Sequence, residues 1–332
     1  MNPPSLQDVR DARTRVYSHL KPTPLLKHPL LDEWLGCDAW VKHENHNPTC
    51  AFKVRGGLNL VAQLSADERR RGVVSASTGN HGQSMALACR IHGVPCHIFV
   101  PVGSNPDKVA AMRAMGATIV EYGRDFDEAR ERVEEVAPRE GWRYVHSANE
   151  PQLIAGVGTY ALEIFEDLRS AGHDADYVFV PIGGGSGAAG TCIVRSGIGS
   201  HAKVIGVQAA GADAFARSWR GPSRVTTDTV ATFAEGMATR TTFDLTFGIL
   251  KSGLDDVVTL DEGEIEEGVR AALRLTHNLA EPSGAAPIAA ARQWAPRLAG
   301  KTVVCVISGG NLDIATLRRV LGVPMSAGSS PV

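Results

Sequence analysis

The sequence predicts an α/β fold built from parallel sheets in two units. Three observations carry that prediction: strand-length apolar runs alternate with helical patterns, glycine-rich turns join strand ends to helix starts, and the connections are short. In the first series, strands are expected over 73–76, 97–100, 119–122 and 144–146, with helices over 80–92, 105–115 and 126–138. Phe126, Ala129, Val133 and Val136 share one face of the last helix. This βαβα succession implies parallel strands with crossover helices. A second series places strands over 177–181, 204–208 and 302–307, and helices over 152–168, 187–196, 264–280 and 284–299. Ile265, Val269, Ala272, Thr276 and Leu279 keep the helical period there. The junction between the units is expected near Asn149-Glu150-Pro151. Residues 1–65 show no sheet of their own and are expected to pack on the larger unit. The division is therefore 1–65 with 151–325 as the large unit and 66–150 as the small one. The low-complexity tail, 326–332, is expected to be disordered. A cleft between two such units is a favoured place for a ligand.

Composition bounds the function. A chain of 332 residues that is 43% hydrophobic can bury a sizeable core. A net charge of −2 gives no electrostatic footprint for nucleic acid or an anionic membrane. Apolar runs such as 303–307 are strand-length, far short of a membrane span. The first helix carries Asp8, Arg10, Asp11, Arg13 and Arg15, unlike a signal peptide. Six cysteines without a CxxC pair fit reduced thiols, so a cytoplasmic location is expected.

Lys53 stands out because Thr49-Cys50-Ala51-Phe52-Lys53-Val54-Arg55-Gly56-Gly57 frames it in apolar residues and glycine. Three later segments have the form of anion sites. Gly183-Gly184-Gly185-Ser186-Gly187 joins a strand to a helix start, where unpaired backbone N–H groups and the helix dipole favour a phosphate. The same run matches the dinucleotide fingerprint at Gly185, Gly187 and Gly190, a weak signal. The acid that would hold a ribose is missing: Gln208 ends the next strand. A single phosphate ranks ahead of a dinucleotide or a merely structural turn. Ser77-Thr78-Gly79-Asn80-His81 suits a carboxylate, its bland alternative being an ordinary helix cap. Ser308-Gly309-Gly310-Asn311 follows another strand and has the same alternative. His43-Glu44-Asn45-His46 is one residue short of a zinc-protease motif, Gly184–Ala188 fails the nucleophile-elbow pattern, and no nucleotide P-loop is present.

Together with Ala51-Phe52-Lys53-Val54-Arg55-Gly56 and Glu281-Pro282-Ser283-Gly284-Ala285, these segments resemble the threonine/serine dehydratase family. Its members are fold-type II, tryptophan-synthase-β-like pyridoxal-phosphate enzymes. The likeness runs in order over about 5–321, nearly the whole chain. It implies two parallel-sheet α/β domains with pyridoxal 5'-phosphate in the cleft, the large one binding the cofactor, and a homodimer. By the same resemblance Lys53 forms the Schiff base and acts as base at Cα, while Phe52 lies against the ring. Gly183, Gly184, Gly185, Ser186 and Gly187 bind the phosphate, Asn80 the ring hydroxyl, and Ser308 the pyridine nitrogen. Ser77, Thr78, Gly79, Asn80 and His81 grip the substrate carboxylate. A serine cannot keep the pyridine nitrogen charged, which favours expulsion of a β-leaving group over transamination. The implied reaction removes water from an L-3-hydroxy amino acid such as L-threonine or L-serine, giving a 2-oxo acid and ammonia.

Departures qualify the resemblance. Cys50-Ala51 replaces the family's Gly-Ser, and Ser186 replaces a fourth glycine. Thr78 stands where racemases carry a serine base, its methyl crowding the site, so racemisation ranks below dehydration. Gln208 and Ala214 replace the acids of the family's divalent-cation site, so no metal is expected there. His146-Ser147-Ala148-Asn149-Glu150 replaces a His-Pro-Phe-Asp run beside the substrate, which admits a bulkier substrate such as phenylserine. β-Replacement is the other enzyme alternative, against which His81 counts. A non-catalytic binding protein is a different class of alternative, against which Lys53 itself counts.

Overall fold

A computed structural model describes residues 1–323; the tail 326–332 lies outside the described residues. The chain begins with α1 (Leu6–Tyr17), β1 (Leu25–Lys27), α2 (Pro29–Leu35), β2 (Asp38–His43) and α3 (Lys53–Val61). Next come α4 (Ala66–Arg71), β3 (Val73–Ala76), α5 (Asn80–His92), β4 (Cys96–Val100), α6 (Pro106–Ala114), β5 (Thr118–Glu121), α7 (Phe126–Glu140) and β6 (Arg143–Tyr144). The remainder holds α8 (Pro151–Ser170), β7 (Tyr177–Pro181), α9 (Ser186–Gly197), β8 (Lys203–Ala209), α10 (Ala214–Arg220) and α11 (Asp244–Gly253). It closes with β9 (Asp256–Leu260), α12 (Glu262–Thr276), α13 (Pro282–Leu298), β10 (Thr302–Ile307) and α14 (Ile314–Val320).

Two sheets organise these elements. The larger runs β1-β2-β10-β7-β8-β9, parallel except for the antiparallel edge strand β1. The smaller runs β5-β4-β3-β6 and is wholly parallel. Val178, Val204, Val304 and Val306 bury one face of the large sheet against α8 and α9, through Ile154, Ile164, Ala188 and Ala189. Its other face meets α12 and α13 through Phe179, Ile205 and Val303. Burial on both faces is why these strands read as continuous apolar runs.

The expected strands form, and so do the expected helices, except that α12 stops at Thr276, short of the expected 280. There His277 takes a left-handed φ of 55° and Leu279 is left exposed. β9 is a strand that the sequence does not foretell, and three further differences are informative. Residues 25–43 add two strands to the large sheet, which the apolar pattern does not foretell. β2 carries Asp38, Lys42 and His43, and Lys42 is fully buried because Glu163 of α8 neutralises it, Nζ lying 2.5 Å from Oε2. β6 stops at Tyr144 instead of reaching His146. There His146 Nδ1 accepts from the N–H groups of Ala148 (3.0 Å) and Asn149 (3.1 Å), which turns the chain out of the sheet. α3 joins the two units: Val54, Leu58 and Val61 pack in one cluster with Val73, Met85 and Ile98 of the small unit and Leu153 of α8.

Candidate active site

Strand adjacency brings Lys53 and Ser308 together. β2 lies beside β10, so the segments leaving their C-terminal ends run side by side. Phe52 N–H donates to the Ser308 carbonyl at 3.0 Å, Gly310 N–H donates to the Cys50 carbonyl at 2.8 Å, and Ala51 forms a bridge with Gly309. Cys50 takes a left-handed φ of 51°, turning the loop into the first turn of α3, where Lys53 stands. Lys53 Nζ reaches Ser186 Oγ of the glycine loop at 2.8 Å and the Ser147 carbonyl at 3.2 Å. Burial, which no carboxylate among the described residues offsets, brings its ammonium pKa down to about 8.

The glycine loop connects β7 to α9. Gly185 holds a φ of 86°, a conformation glycine adopts without strain. Among the described residues, the N–H groups of Gly183, Gly184, Gly185, Ser186 and Gly187 donate to no protein acceptor. The loop is fastened through its carbonyls instead: Thr246 Oγ1 donates to Gly184 O and Tyr160 Oη to Gly187 O, both at 2.8 Å. Free N–H groups at a helix N-terminus are the donor set that a phosphate needs. Phe52 packs edge-on to Tyr160, ring centroids 6.1 Å apart, beside this loop.

The other two motifs meet opposite. Asn80, first residue of α5, donates from Nδ2 to Glu281 Oε1 at 2.8 Å and accepts at Oδ1 from Asn311 Nδ2 at 2.7 Å. Ser77 Oγ accepts from the N–H groups of Gly79 (3.3 Å) and Gly82 (2.9 Å), so the helix-cap role is present at that residue. Thr78 and Gly79 are half-buried. His81 is buried, its Nε2 3.0 Å from Ser75 Oγ, which donates to Val145 O, while its Nδ1 has no protein partner. Burial, followed by the nearby Lys53 charge, holds the His81 pKa down to about 3. His146 lies edge-on to Phe243, centroids 5.1 Å apart, and burial lowers it to about 4.

Several of these neighbours carried no sequence signal. Tyr160 and Thr246 sit in helices and read as core or surface positions. Ser147 acts through its backbone carbonyl, which no side-chain motif reports. Behind α3, Arg55 is fully buried between Glu44 (Nε to Oε2, 2.7 Å) and Glu163 (Nη1 to Oε1, 2.6 Å), and Lys42 completes a quartet of zero net charge.

A model of the family described as pyridoxal-phosphate dependent enzyme matches residues 16–309. The chain belongs to that family. It is 36% identical over 317 residues to L-threonine ammonia-lyase of Thermotoga maritima, covering 96% of this chain and 78% of that one. It is 32% identical over 318 residues to serine racemase of Schizosaccharomyces pombe, covering 96% and 97%. The solved processed form of threonine deaminase isoform 2 from Solanum lycopersicum superposes with a TM-score of 0.90 at 31% identity, covering 97% of this chain and 90% of that one. Within the pyridoxal-phosphate enzymes the chain is therefore a fold-type II member of the threonine/serine dehydratase group. The site fits the cofactor of this family: an amine of lowered pKa stands beside a loop whose N–H donors are unclaimed among the described residues. Among the described residues, no helix is long and apolar enough to cross a membrane, and no cluster of three or more metal-ligating side chains occurs.

Proposed function

We propose that this pyridoxal-phosphate enzyme is an ammonia-lyase that removes water from an L-3-hydroxy amino acid, releasing a 2-oxo acid and ammonia. L-Threonine and L-serine are the leading substrates, with a bulkier one such as L-threo-phenylserine third. The observation that carries the proposal is the Lys53 amine, brought to a pKa of about 8 and held 2.8 Å from Ser186 at the mouth of the glycine loop. Such an amine is partly free near neutral pH, as both covalent attachment and proton removal require.

Each neighbouring group then has a task. Lys53 Nζ would hold the cofactor, and the same amine stands to take the proton from the substrate Cα. The N–H groups from Gly183 to Gly187 hold the phosphate, and Phe52, braced by Tyr160, covers the ring. Asn80 would hold the ring hydroxyl and Ser308 the pyridine nitrogen. The Ser77–His81 loop holds the substrate carboxylate with Thr78, Gly79 and Asn80 at its open side. Pyridoxal phosphate, when bound, supplies the electron sink that lets the Cα proton leave. His81 and His146 are both neutral at pH 7, so neither competes with Lys53 as the charged acid–base group of the cleft.

The large unit, 1–65 with 151–325, is read as the cofactor-binding domain, and 66–150 as the small domain. All six cysteines are free thiols, four of them buried, which supports a reducing cytoplasmic setting. A homodimer is expected from the family. Similarity to serine racemase favours one second reading, racemisation, with the Thr78 hydroxyl as the opposing base. The deciding experiment incubates the cofactor-loaded protein with L-threonine, L-serine, L-threo-phenylserine and D-serine, assaying 2-oxo acid and the enantiomer of each. Oxo-acid release from the L-substrates supports the lyase and ranks them. Enantiomer formation without oxo acid would replace it with the racemase.

A further inference from the structure

Glu281 opens a motif that the site residues above leave without a task. It is the residue before α13, 8% exposed, and its carboxyl points into the site from the large unit. Its own N–H donates to Gly309 O at 3.0 Å, tying it to the turn that follows β10. A Cβ at Gly309 would stand 2.7 Å from Glu281 Oε1, so a side chain there would push the carboxyl aside. The Glu281–Ala285 and Ser308–Asn311 motifs are thus two halves of one packed unit.

That unit grips the Asn80 side chain from two sides. Glu281 Oε1 offers an acceptor to Nδ2 at 2.8 Å, and Asn311 Nδ2 offers a donor to Oδ1 at 2.7 Å. Asn311 is itself fixed, because its Nδ2 also donates to the Thr49 carbonyl at 2.9 Å, on the loop that leads to Lys53. An amide turned end for end would set its oxygen against the carboxylate and its NH2 against another NH2. Only one orientation of Asn80 satisfies both neighbours, and in that orientation one of the two Nδ2 hydrogens remains unclaimed.

Given the cofactor site proposed above, we infer that Glu281 is a positioning residue that acts through Asn80, holding its amide so that one N–H is free for the ring oxygen of pyridoxal phosphate. The groups facing the Glu281 carboxyl oppose one another. Lys108 of α6, Asn80 Nδ2 and the Asn311 N–H favour its ionised form, while Glu235 disfavours it. Burial outweighs them and raises the carboxyl to about 7. The strength of the grip on Asn80 therefore changes near neutral pH, a charged carboxylate being the stronger acceptor.

The test titrates apoprotein with pyridoxal phosphate, following protein fluorescence, in a double-mutant cycle of Asn80→Ala and Glu281→Ala. Each single variant is expected to bind about tenfold more weakly, and the double variant no more weakly than the worse single one. Glu281→Gln keeps the shape and one acceptor oxygen, so it is expected to bind more tightly than Glu281→Ala. It also answers the question should the alanine variant fail to fold. Wild type is expected to gain affinity between about pH 6 and pH 8 beyond what Glu281→Gln gains over the same range. Additive losses in the cycle, or Glu281 variants with wild-type affinity and pH dependence beside an impaired Asn80→Ala, would overturn the inference. Wild-type apoprotein that takes up no pyridoxal phosphate would instead remove the site assignment on which the inference rests.

Discussion

Lys53 Nζ lies 2.8 Å from Ser186 Oγ, joining the first turn of α3 to the first turn of α9. Among the described residues, the contact places the one amine with a lowered pKa beside the loop whose N–H groups are unclaimed. The free amine keeps N–H donors and gains a lone pair that can accept from the serine hydroxyl, so the hydrogen bond can persist on deprotonation. That combination has consequences for pH dependence.

Attachment of pyridoxal phosphate to the apoprotein requires the free amine. Its rate, followed by growth of the visible absorbance band, is expected to rise through about pH 8 and then level off. A rate that climbed steadily toward the ordinary lysine value of 10.5 would show that the cleft does not perturb Lys53.

The same burial makes Lys53 a burden on the apoprotein. Its folded pKa is depressed from 10.5 to about 8, so the unfolded chain binds more protons between those values. Stability gained from this group therefore rises with pH across that window, and the full deficit is present below it. Apo Lys53→Met is expected to be more stable than wild type at pH 7 by about 1–2 kcal/mol, with the difference vanishing as pH nears 10.5. Thermal unfolding of the two apoproteins at several pH values checks this. A variant less stable than wild type at pH 7 would contradict it.

The quartet behind α3 fixes the lysine's helix. Glu163 of α8 bonds Arg55 of α3 at 2.6 Å and Lys42 of β2 at 2.5 Å, all three side chains being buried. Glu163→Gln leaves two buried cations facing the single carboxylate of Glu44. The expected loss is about 3–5 kcal/mol, read from denaturant unfolding. A loss below about 1 kcal/mol, the range of exposed ion pairs, would mean that water enters the quartet.

Legibility in the sequence followed chemistry. β3, β7 and β10 were readable because both faces of each strand are apolar, and the helices between them because their periods are regular. β2 was not, since its buried Lys42 and His43 break any apolar pattern; Lys42 is accommodated by Glu163, far along the chain, and by the Thr23 carbonyl at 2.7 Å. The motifs holding Lys53, the glycine loop and Ser308 were visible as strand-to-helix turns of unusual composition. Their mutual contacts were not, because they depend on β2 lying next to β10. Glu281 shows the same limit: its motif was noticeable, but its hold on Asn80 appears only once the two units face each other.

The role of Lys53 is decided by reconstituting wild type and Lys53→Ala with pyridoxal phosphate and comparing them. Visible absorbance and 2-oxo acid released from L-threonine and L-serine are recorded side by side. The expected result is a visible band and oxo-acid release in wild type, with both absent in the variant. Wild-type turnover in Lys53→Ala, or a wild type with neither band nor oxo acid, would contradict the assignment of Lys53 as the residue that carries the cofactor and removes the proton.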